Sequence, residues 1–391
     1  MKKLLYILMT IIAILVVDTF VLDGRVFGLA EVIPTVNKAE KKELAELPLD
    51  KLKLPNGYKI SVYAENVKNA RSMTLSPSGT LYVGTRQEGS VYALKDTDGD
   101  NKIDKQYTLM EGGSMPNGVA FKDGDLYVAE HSRILKFSDI ESKLAAPGEP
   151  EVIYDKFPDK KHHGWKFIAF GPDGKLYVPV GAPCNICESD EEIFGSITRL
   201  DPDGTNLEIV HTGVRNTVGF TWHPETSELF FTDNGGDMMG DDLPACELNK
   251  ATAAKMNFGY PYCHQGDTLD KDFGTDKDCE DYTRPLQNLG AHVAPLGCEF
   301  YNFMSQSKNA LLIAEHGSWN RSKKSGYKIS MVQLDDNNNS TGYSDFITGW
   351  LDEDTDEVWG RPVDLEWMPD GSLLISDDFA DAIYRVSYAG V

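Results

Sequence analysis

The chain has 391 residues and is strongly acidic, with 38 Lys and Arg against 61 Asp and Glu and a formal net charge of −23. This charge argues against a nucleic-acid partner, because no extended face could neutralise phosphates. The length would allow two domains, and 10% aromatic residues with 35 glycines suit a protein of strands and turns; the repeats described below span the chain and favour one domain.

The N-terminus carries two lysines followed by an apolar run, MKKLLYILMTIIAILVV. A run of about 14 apolar residues is short for a membrane span and typical of a secretory signal. Small residues at Gly28 and Ala30 allow cleavage after Ala30, so residues 1–30 are predicted to be a signal peptide, with an uncleaved membrane tether as the alternative. Either reading predicts an exported protein that is periplasmic, extracellular or anchored to the outer face of the cytoplasmic membrane. Residues 31–50 are predicted to be a charged linker and residues 51–391 the folded domain.

Six copies of one phrase then recur along the chain. Each has a short run with alternating apolar residues, a turn rich in Pro, Gly and Asp, and a second run of aromatic and β-branched residues. The copies are SMTLSPSGTLYVGT, NGVAFKDGDLYVAE, FIAFGPDGKLYVPVG, GFTWHPETSELFFTD, GCEFYNF…NALLIAEHG and DLEWMPDGSLLISDD. Each copy predicts a β-hairpin. Strand-rich repeats of roughly 40–50 residues are typical of propeller blades, so the chain is predicted to be an all-β, six-bladed β-propeller.

An acidic loop follows the first hairpin. Asp96, Asp98, Asp100 and Asp104 occupy the first, third, fifth and ninth positions of DTDGDNKID. Closely spaced carboxylates suit Ca²⁺, although the glycine spacing and Tyr107 at the twelfth position exclude an EF-hand. The sequence predicts a structural calcium site here, with a solvated acidic turn as the alternative.

Basic side chains stand just ahead of four of the six hairpins, roughly six to nine residues before the turn. They are Arg71, the pair His162–His163 with Lys166, Arg215 and Arg361, and the segment GSWNRSKKSG adds Arg321, Lys323 and Lys324. Entry loops of a propeller converge at one mouth, so these residues predict a basic mouth in an acidic protein. Such a mouth suits a small polyanion held by charge-assisted hydrogen bonds. The alternative for any single arginine is an ordinary ion pair with a surface carboxylate.

Six cysteines agree with an oxidising compartment. The preferred pairing is Cys184–Cys187 and Cys263–Cys279, which leaves Cys246 and Cys298, although the sequence does not fix the connectivity. No second Cys-x-x-Cys accompanies Cys184-x-x-Cys187, and Glu188 follows it, which excludes haem c attachment and weakens a zinc site.

Four strings, HHGWKFIAFGPDGKLYVPVGAPCN, GVRNTVGF, AEHGSWNR and WGRPVDL, occur in this order. Together they resemble the soluble quinoprotein glucose/sorbosone dehydrogenase family, and most of all its sorbosone dehydrogenase-like branch. That family consists of six-bladed propellers that bind pyrroloquinoline quinone (PQQ) and oxidise sugars. The resemblance covers about residues 55–388. It implies a sugar or alcohol substrate and a separate electron acceptor of the cytochrome, quinone or cupredoxin type, since no cytochrome module is found.

The resemblance also implies roles for single residues. His163, or His162 if the register differs by one, would be the general base. Arg215 and Asn216 match the family's Arg-Asn pair, and Val218 departs from a polar residue of glucose-type members. The remaining cofactor contacts would come from Arg71, Trp319, Arg321, Lys323 and Arg361.

A second calcium site is implied beside the cofactor, in the segment DNGGDMMGDDLPACELN. Gly235 and Gly236 match the family's glycine turn, and Asp241, Asp242 and Glu247 its acidic stretch. A cation touching a quinone oxygen would polarise it as a Lewis acid. Two other functions remain open: a lactonase-type propeller hydrolase, which the basic mouth argues against, and a non-catalytic extracellular binding propeller.

Overall fold

The computed structural model describes residues 36–41, 46–303 and 309–390. Within these ranges the strands form six four-stranded antiparallel sheets and two short two-stranded sheets. The predicted six-bladed β-propeller is therefore confirmed. The predicted signal peptide, residues 1–30, lies outside the described residues.

The strands follow one another with short connections in most blades. In chain order they are Tyr58–Glu65 (β1), Ala70–Leu75 (β2), Leu81–Thr85 (β3), Val91–Lys95 (β4), Lys105–Met110 (β5), Gly118–Lys122 (β6), Asp125–Ala129 (β7), Ile134–Phe137 (β8), Glu151–Tyr154 (β9), Ala169–Phe170 (β10), Leu176–Val180 (β11), Ser196–Leu200 (β12), Glu208–Thr212 (β13), Phe220–Trp222 (β14), Leu229–Asp233 (β15), Ala245–Ala251 (β16), Cys263–His264 (β17), Thr268–Leu269 (β18), Gln287–Ala291 (β19), Pro295–Phe300 (β20), Ala310–Glu315 (β21), Lys328–Leu334 (β22), Ser340–Ile347 (β23), Leu351–Asp352 (β24), Glu357–Val358 (β25), Pro362–Trp367 (β26), Leu373–Asp377 (β27) and Ala382–Tyr388 (β28). Short 3-10 helices cover Leu49–Lys51, Ile140–Ser142 and Cys279–Asp281.

Each predicted hairpin forms the first two strands of one blade. Blades 1, 2 and 3 are β2–β5, β6–β9 and β10–β13, blade 4 is β14–β16 with β19, blade 5 is β20–β23, and blade 6 is β26–β28 with β1. The turn of blade 2 shows the local cause, because Asp123 and Gly124 have φ of 53° and 92°. Two residues with positive φ give the twist that closes a two-residue hairpin.

The second strand of most blades is more buried than a strict alternation of buried and exposed residues would predict. Along β3, β11, β15, β21 and β27 every residue is buried. Blades pack face to face, so a middle strand meets a neighbouring blade on both sides and needs apolar residues on both faces. Apolar clusters accordingly lie between successive blades, as where Tyr82 of blade 1 meets Val119 and Leu126 of blade 2.

Blade 6 is closed by the start of the domain. Strand β1 pairs antiparallel with β28, from Tyr58 opposite Tyr388 to Glu65 opposite Ala382. This pairing joins the two ends of the propeller, so the ring contains no open gap between its first and last blades.

Part of the predicted charged linker contacts the propeller. The backbone N–H of Asn37 donates to the carbonyl of Trp319 at 3.0 Å, and its side chain donates to Asp356 at 2.7 Å. Lys41 pairs with Asp381 at 2.6 Å. Residues 36–41 therefore lie across the loops of blades 5 and 6.

Among the residues described here, no helix is long and apolar enough to cross a membrane.

The innermost strands of blades 5 and 6 carry a group of carboxyls. Burial raises the pKa of Glu299 to about 8 and that of Asp364 to about 7, and the pKa of Glu366 lies well above its usual value. Mutual repulsion adds to the effect of burial on Glu299 and Glu366. These groups hold protons at a pH where the unfolded chain has released them.

This difference predicts that Glu299→Gln stabilises the protein at alkaline pH. The favourable contribution of protonated Glu299 is fully present below its unfolded pKa and is lost as the pH rises through about 8. Glutamine keeps an acceptor for the Thr221 hydroxyl, which donates to Glu299 at 3.3 Å, and carries no charge. Thermal unfolding should show a higher midpoint than wild type at pH 8 and no gain at pH 4. Glu191→Gln on the exposed surface is the control, and a gain for Glu299→Gln of the same size at both pH values would contradict the assignment.

Candidate functional site

A cavity of about 420 Å³ lies where the entry loops of the blades meet. Its apolar side includes Leu296 and the indole of Trp165, which pack with Val218 and Val363. These residues come from blades 3 to 6. The cavity is therefore a mouth with an apolar base, of the size expected for a small-molecule site.

Five cationic side chains line this cavity: Lys38, Arg71, Arg86, Arg215 and Arg361. Two of them have carboxylate partners, since Arg71 pairs with Asp378 at 2.5 Å and Arg215 with Asp237 at 2.8 Å. Within the described ranges, Arg86 and Arg361 form no ion pair with a carboxylate. The predicted basic mouth thus exists, and part of its charge is uncompensated.

Arg86 lies partly buried among these cations. Its guanidinium lies 3.6 Å from the centre of the Trp165 ring. The pKa of Arg86 is lowered to about 10, mainly by burial; repulsion from Arg71 and Arg361 contributes, and the attraction of Asp378 opposes it. A bound anion would relieve this repulsion, so the cavity favours anionic ligands.

Two buried aspartates hold the arginine-bearing loops. Asp233, at the end of β15, accepts the backbone N–H groups of Arg215 and Asn216 at 2.7 Å and 2.6 Å. Asp377, at the end of β27, accepts the backbone N–H of Arg361 at 2.9 Å and the hydroxyl of Tyr384 at 2.9 Å. Burial raises the pKa of each carboxyl to about 6. The end of a blade's second strand therefore fixes the loop that enters its first strand.

Arg361 is positioned by backbone carbonyls. It donates to the carbonyls of His316 and Gly317 at 2.9 Å and 2.8 Å, and its guanidinium lies 5.4 Å from the Tyr327 ring. The His316 ring contacts the Asp378 carboxylate at 2.7 Å. Burial alone would raise the pKa of Asp378, but His316 and Arg71 hold it well below its usual value. The ionised carboxylate thereby holds Arg71 and the imidazole in place.

His163 is buried and lines the cavity. Its Nδ1 lies 2.9 Å from the carbonyl oxygen of Ala182. A carbonyl only accepts, so Nδ1 carries the hydrogen and Nε2 of the neutral ring is left as an acceptor. Burial lowers the pKa of His163 well below 6.5, and the charge of Arg215 adds to this effect. His162 differs, because it is exposed and does not line the cavity, although its ring lies 4.1 Å from that of His163.

The structure brings most of the predicted cofactor residues together. The cavity lining includes Arg71, His163, Arg215, Asn216, Trp319 and Arg361. Sequence reasoning missed Arg86 and Lys38 as members of this lining, as well as His316. Trp165 belongs to HHGWK, part of one of the four strings that carry the family resemblance. Arg86 lies directly after β3, the second strand of blade 1, and belongs to none of these strings.

Arg321 and Lys323, which the resemblance placed on the cofactor, lie outside the cavity. Arg321 donates to the carbonyl of Asp241 at 3.0 Å and to the carboxylate of Asp242 at 2.9 Å. Lys323 borders a separate surface groove together with Arg321. The Arg321 guanidinium is held by a carboxylate and two carbonyls outside the cavity lining, whereas Arg215 and Arg361 are part of that lining.

The predicted cofactor-side metal residues divide into two groups. Gly235, Gly236 and Glu247 border a small cavity of about 20 Å³ together with Asp233. Burial raises the pKa of Glu247 to about 8, and the charge of Asp233 contributes. Asp241 accepts from the backbone and hydroxyl of Ser322, and Asp242 pairs with Arg321, so neither carboxylate belongs to this cavity.

In the predicted loop of blade 1, three of the four carboxylates converge. Oxygens of Asp96, Asp98 and Asp104 lie within 4.8 Å of one another, whereas Asp100 is not part of the group. The loop connects β4 and β5, the outer strands of the blade. A calcium ion in this loop remains a prediction.

Both preferred disulfides are formed, Cys184–Cys187 and Cys263–Cys279. Cys246 and Cys298 are free and buried.

The sequence profile described as TrAA12-like matches residues 52–389. The chain belongs to the TrAA12-like family. A protein of Borreliella burgdorferi, described as an uncharacterized protein, is 33% identical over 355 residues, which cover 86% of this chain and 91% of that protein. The PQQ-dependent pyranose dehydrogenase of Coprinopsis cinerea is 22% identical over 413 residues, which cover 88% of this chain but 55% of that enzyme. The chain therefore matches about half of that relative's length.

Solved structures share the fold of this TrAA12-like chain. The holo PQQ domain of the Coprinopsis cinerea pyranose dehydrogenase has a TM-score of 0.75 at 18% identity, covering 86% of this chain and 97% of that one. The calcium structure of the Trichoderma reesei family AA12 enzyme has a TM-score of 0.76 at 18% identity, covering 90% and 99%. The PQQ-bound aldose sugar dehydrogenase of Streptomyces coelicolor has a TM-score of 0.62 at 20% identity, covering 86% and 99%. The predicted relationship to PQQ-dependent sugar dehydrogenases is confirmed, whereas the sorbosone-specific branch remains a prediction.

Proposed function

We propose that this protein is a PQQ-dependent dehydrogenase that oxidises a CH–OH or aldehyde group of an aldose or a related sugar or alcohol, including substrates of the sorbosone type. The observation that carries the proposal is the cluster of cations around the mouth. Arg71, Arg86 and Arg361 crowd one cavity of a protein whose net charge is −23.

The residues present fit the cofactor. PQQ is planar and has three carboxylates, which match the arginines of the mouth; two of these, Arg86 and Arg361, lack carboxylate partners among the described residues. The indole N–H of Trp165 is buried without an acceptor in the described structure, which suits a ligand oxygen. Trp319 and Trp165 offer aromatic surface in the lining. When bound, PQQ supplies an ortho-quinone that accepts a hydride.

His163 is the proposed general base. Its neutral ring, held through Nδ1, presents Nε2 as an acceptor for the proton of the substrate hydroxyl. The lowered pKa keeps the ring neutral at pH 7, so it is ready to accept that proton. Arg215 and Asn216 lie in the same lining, where they would contact the cofactor and orient the substrate.

Calcium is the proposed second cofactor. Gly235, Gly236, Glu247 and Asp233 border a cavity large enough for one ion, and their oxygens suit a hard cation. The loop of Asp96, Asp98 and Asp104 is proposed to hold a structural ion. Export, through a cleaved signal or with a membrane tether, is proposed from the N-terminal sequence. A separate electron acceptor is proposed from the family resemblance.

The proposal predicts saturable binding of PQQ to the purified protein in the presence of Ca²⁺. An absorbance titration would measure the affinity, and an artificial dye with a panel of aldoses would then measure turnover. Binding should weaken as salt rises, because salt screens the attraction that draws the carboxylates of PQQ into the basic mouth, although less than for fully exposed charges. Absence of saturable binding would refute the dehydrogenase proposal and favour a non-catalytic binding propeller. Binding without turnover on any sugar of the panel would have the same consequence.

A further inference from the structure

We propose that Asn185, in the loop closed by the Cys184–Cys187 disulfide, is the positioning residue for Arg215, and that this disulfide keeps the cofactor site in its binding-competent form. The inference rests on the proposed function, because it takes PQQ to be the ligand of Arg215. It gives a role to the Cys-x-x-Cys motif, which that function leaves without one.

Asn185 binds the Arg215 guanidinium through two oxygens. Nε of Arg215 donates to the carbonyl oxygen of Asn185 at 2.8 Å, and Nη2 donates to its side-chain oxygen at 2.8 Å. The same Nη2 donates to the carboxylate of Asp237 at 2.8 Å, and Nη1 donates to the carbonyl of Asn234 at 3.1 Å. Asn185 therefore supplies two of these four acceptors, one from its backbone and one from its side chain.

Asn185 also fixes Asp237, the carboxylate partner of Arg215. Its side-chain amide donates to the carbonyl of Asp237 at 2.8 Å, and its side-chain oxygen accepts the backbone N–H of Asp237 at 2.8 Å. The other carboxylate oxygen of Asp237 accepts from Asn320 at 2.6 Å. Asn185, Arg215, Asp237 and Asn320 thus form one network at the cavity wall, built from loops of blades 3, 4 and 5.

The disulfide determines where Asn185 can lie. Asn185 lies between the two cysteines in sequence, so the disulfide closes a short ring of backbone that contains it. Tyr260 supports the same loop, because its hydroxyl accepts the backbone N–H of Cys187 at 3.1 Å and lies 3.4 Å from the carbonyl oxygen of Asn185. Opening the ring would release backbone freedom at the carbonyl that Arg215 uses.

The loop also contacts the histidine side of the cavity. Ala182, two residues before Cys184, accepts the Nδ1–H of His163 and donates its backbone N–H to the carbonyl of Arg215 at 2.8 Å. A displaced loop would therefore disturb the proposed base and the cofactor-binding arginine together.

The first test compares Asn185→Ala with wild type by titration with PQQ in the presence of Ca²⁺. We expect affinity to fall about five- to tenfold, since a guanidinium loses one acceptor and its partner Asp237 loses two bonds. In an Arg215→Ala background, Asn185→Ala should change the affinity less than twofold, because a positioning residue acts only through the group it positions. A general structural effect would instead lower affinity equally in both backgrounds, and that result would overturn the inference.

The second test replaces both cysteines of the loop, Cys184→Ser with Cys187→Ser. PQQ affinity should fall at least as far as in Asn185→Ala, while circular dichroism and cooperative unfolding show that the propeller is folded. The control is Ser189→Ala, an exposed residue in the same connection between β11 and β12 that borders neither cavity, and it should leave PQQ affinity within about twofold. If the Cys184→Ser, Cys187→Ser variant does not fold, Asn185→Ala alone decides. Wild type that fails to bind PQQ would refute the proposed function, whereas wild type that binds with all variants unchanged would refute only this inference.

Discussion

Replacing His163 with alanine should lower turnover by about 10²–10⁴-fold while PQQ affinity stays within a few-fold of wild type, because a general base contributes to the chemical step. The measurement is steady-state kinetics with saturating PQQ, paired with a binding titration. His163→Asn should lose turnover to a similar degree. It also guards against a backbone effect, because His163 has a φ of 48° and Asn tolerates this left-handed region better than most residues.

His162→Ala is the matched control for this prediction. Its ring is exposed and outside the cavity lining, so turnover should remain near that of wild type. Near-normal turnover of His163→Ala with loss in His162→Ala would mean that the base is the neighbouring histidine. Activity in both variants would remove histidine from the proposed chemistry.

The pH profile gives an independent check of the base. Burial lowers the pKa of His163 well below 6.5, so the neutral form persists at a lower pH than for an exposed histidine. The acidic limb of kcat/KM should therefore lie below pH 6.5. A limb centred at or above pH 6.5 would be inconsistent with the buried ring as the base.

Replacing Arg361 with alanine should weaken PQQ binding about 10- to 150-fold. A charge-assisted hydrogen bond contributes about 1.5–3 kcal/mol, and about 1.4 kcal/mol corresponds to a tenfold change. Arg361 forms no ion pair with a carboxylate in the described ranges, so its charge is available to the ligand, and its carbonyl contacts hold it in place beforehand. Arg361→Lys should fall between wild type and alanine, because it keeps the charge but not the planar fork.

Arg199→Ala is the control for Arg361. Arg199 pairs with Asp173 and Glu208 at 2.7 Å and does not line the cavity, so PQQ affinity should not change. Equal affinity in the Arg361 and Arg199 variants would place both arginines among ordinary ion pairs. Loss of binding in both would indicate an effect of net charge instead of a specific contact.

Several features followed directly from the sequence because they depend on neighbours along the chain. The six hairpins were found from their turns and apolar runs, as in the Asp123–Gly124 turn of blade 2. The positions of Arg71, Arg215 and Arg361 ahead of their hairpins also placed them at one mouth. A propeller repeats one local unit around an axis, so equivalent positions in sequence become neighbours in space.

Other features were decided only when distant segments met. Strand β1 closes blade 6 by pairing with β28, although most of the chain lies between them. Arg86 joined the cavity through its contact with Trp165, and Lys38 through the segment that lies across blades 5 and 6. No local pattern announces such contacts, because they arise from the packing of whole blades.

Charge pairing shows the same division most clearly. In the sequence, Arg321 and Arg361 both belong to strings of the family resemblance, which implies a contact with the cofactor for each of them. In the folded protein Arg321 meets Asp242, whereas Arg361 meets backbone carbonyls. By itself the sequence therefore determined the blades and the basic character of the mouth. Only the tertiary structure decided which cations remain available to an anionic ligand, because that depends on which carboxylates the fold brings within reach of each guanidinium.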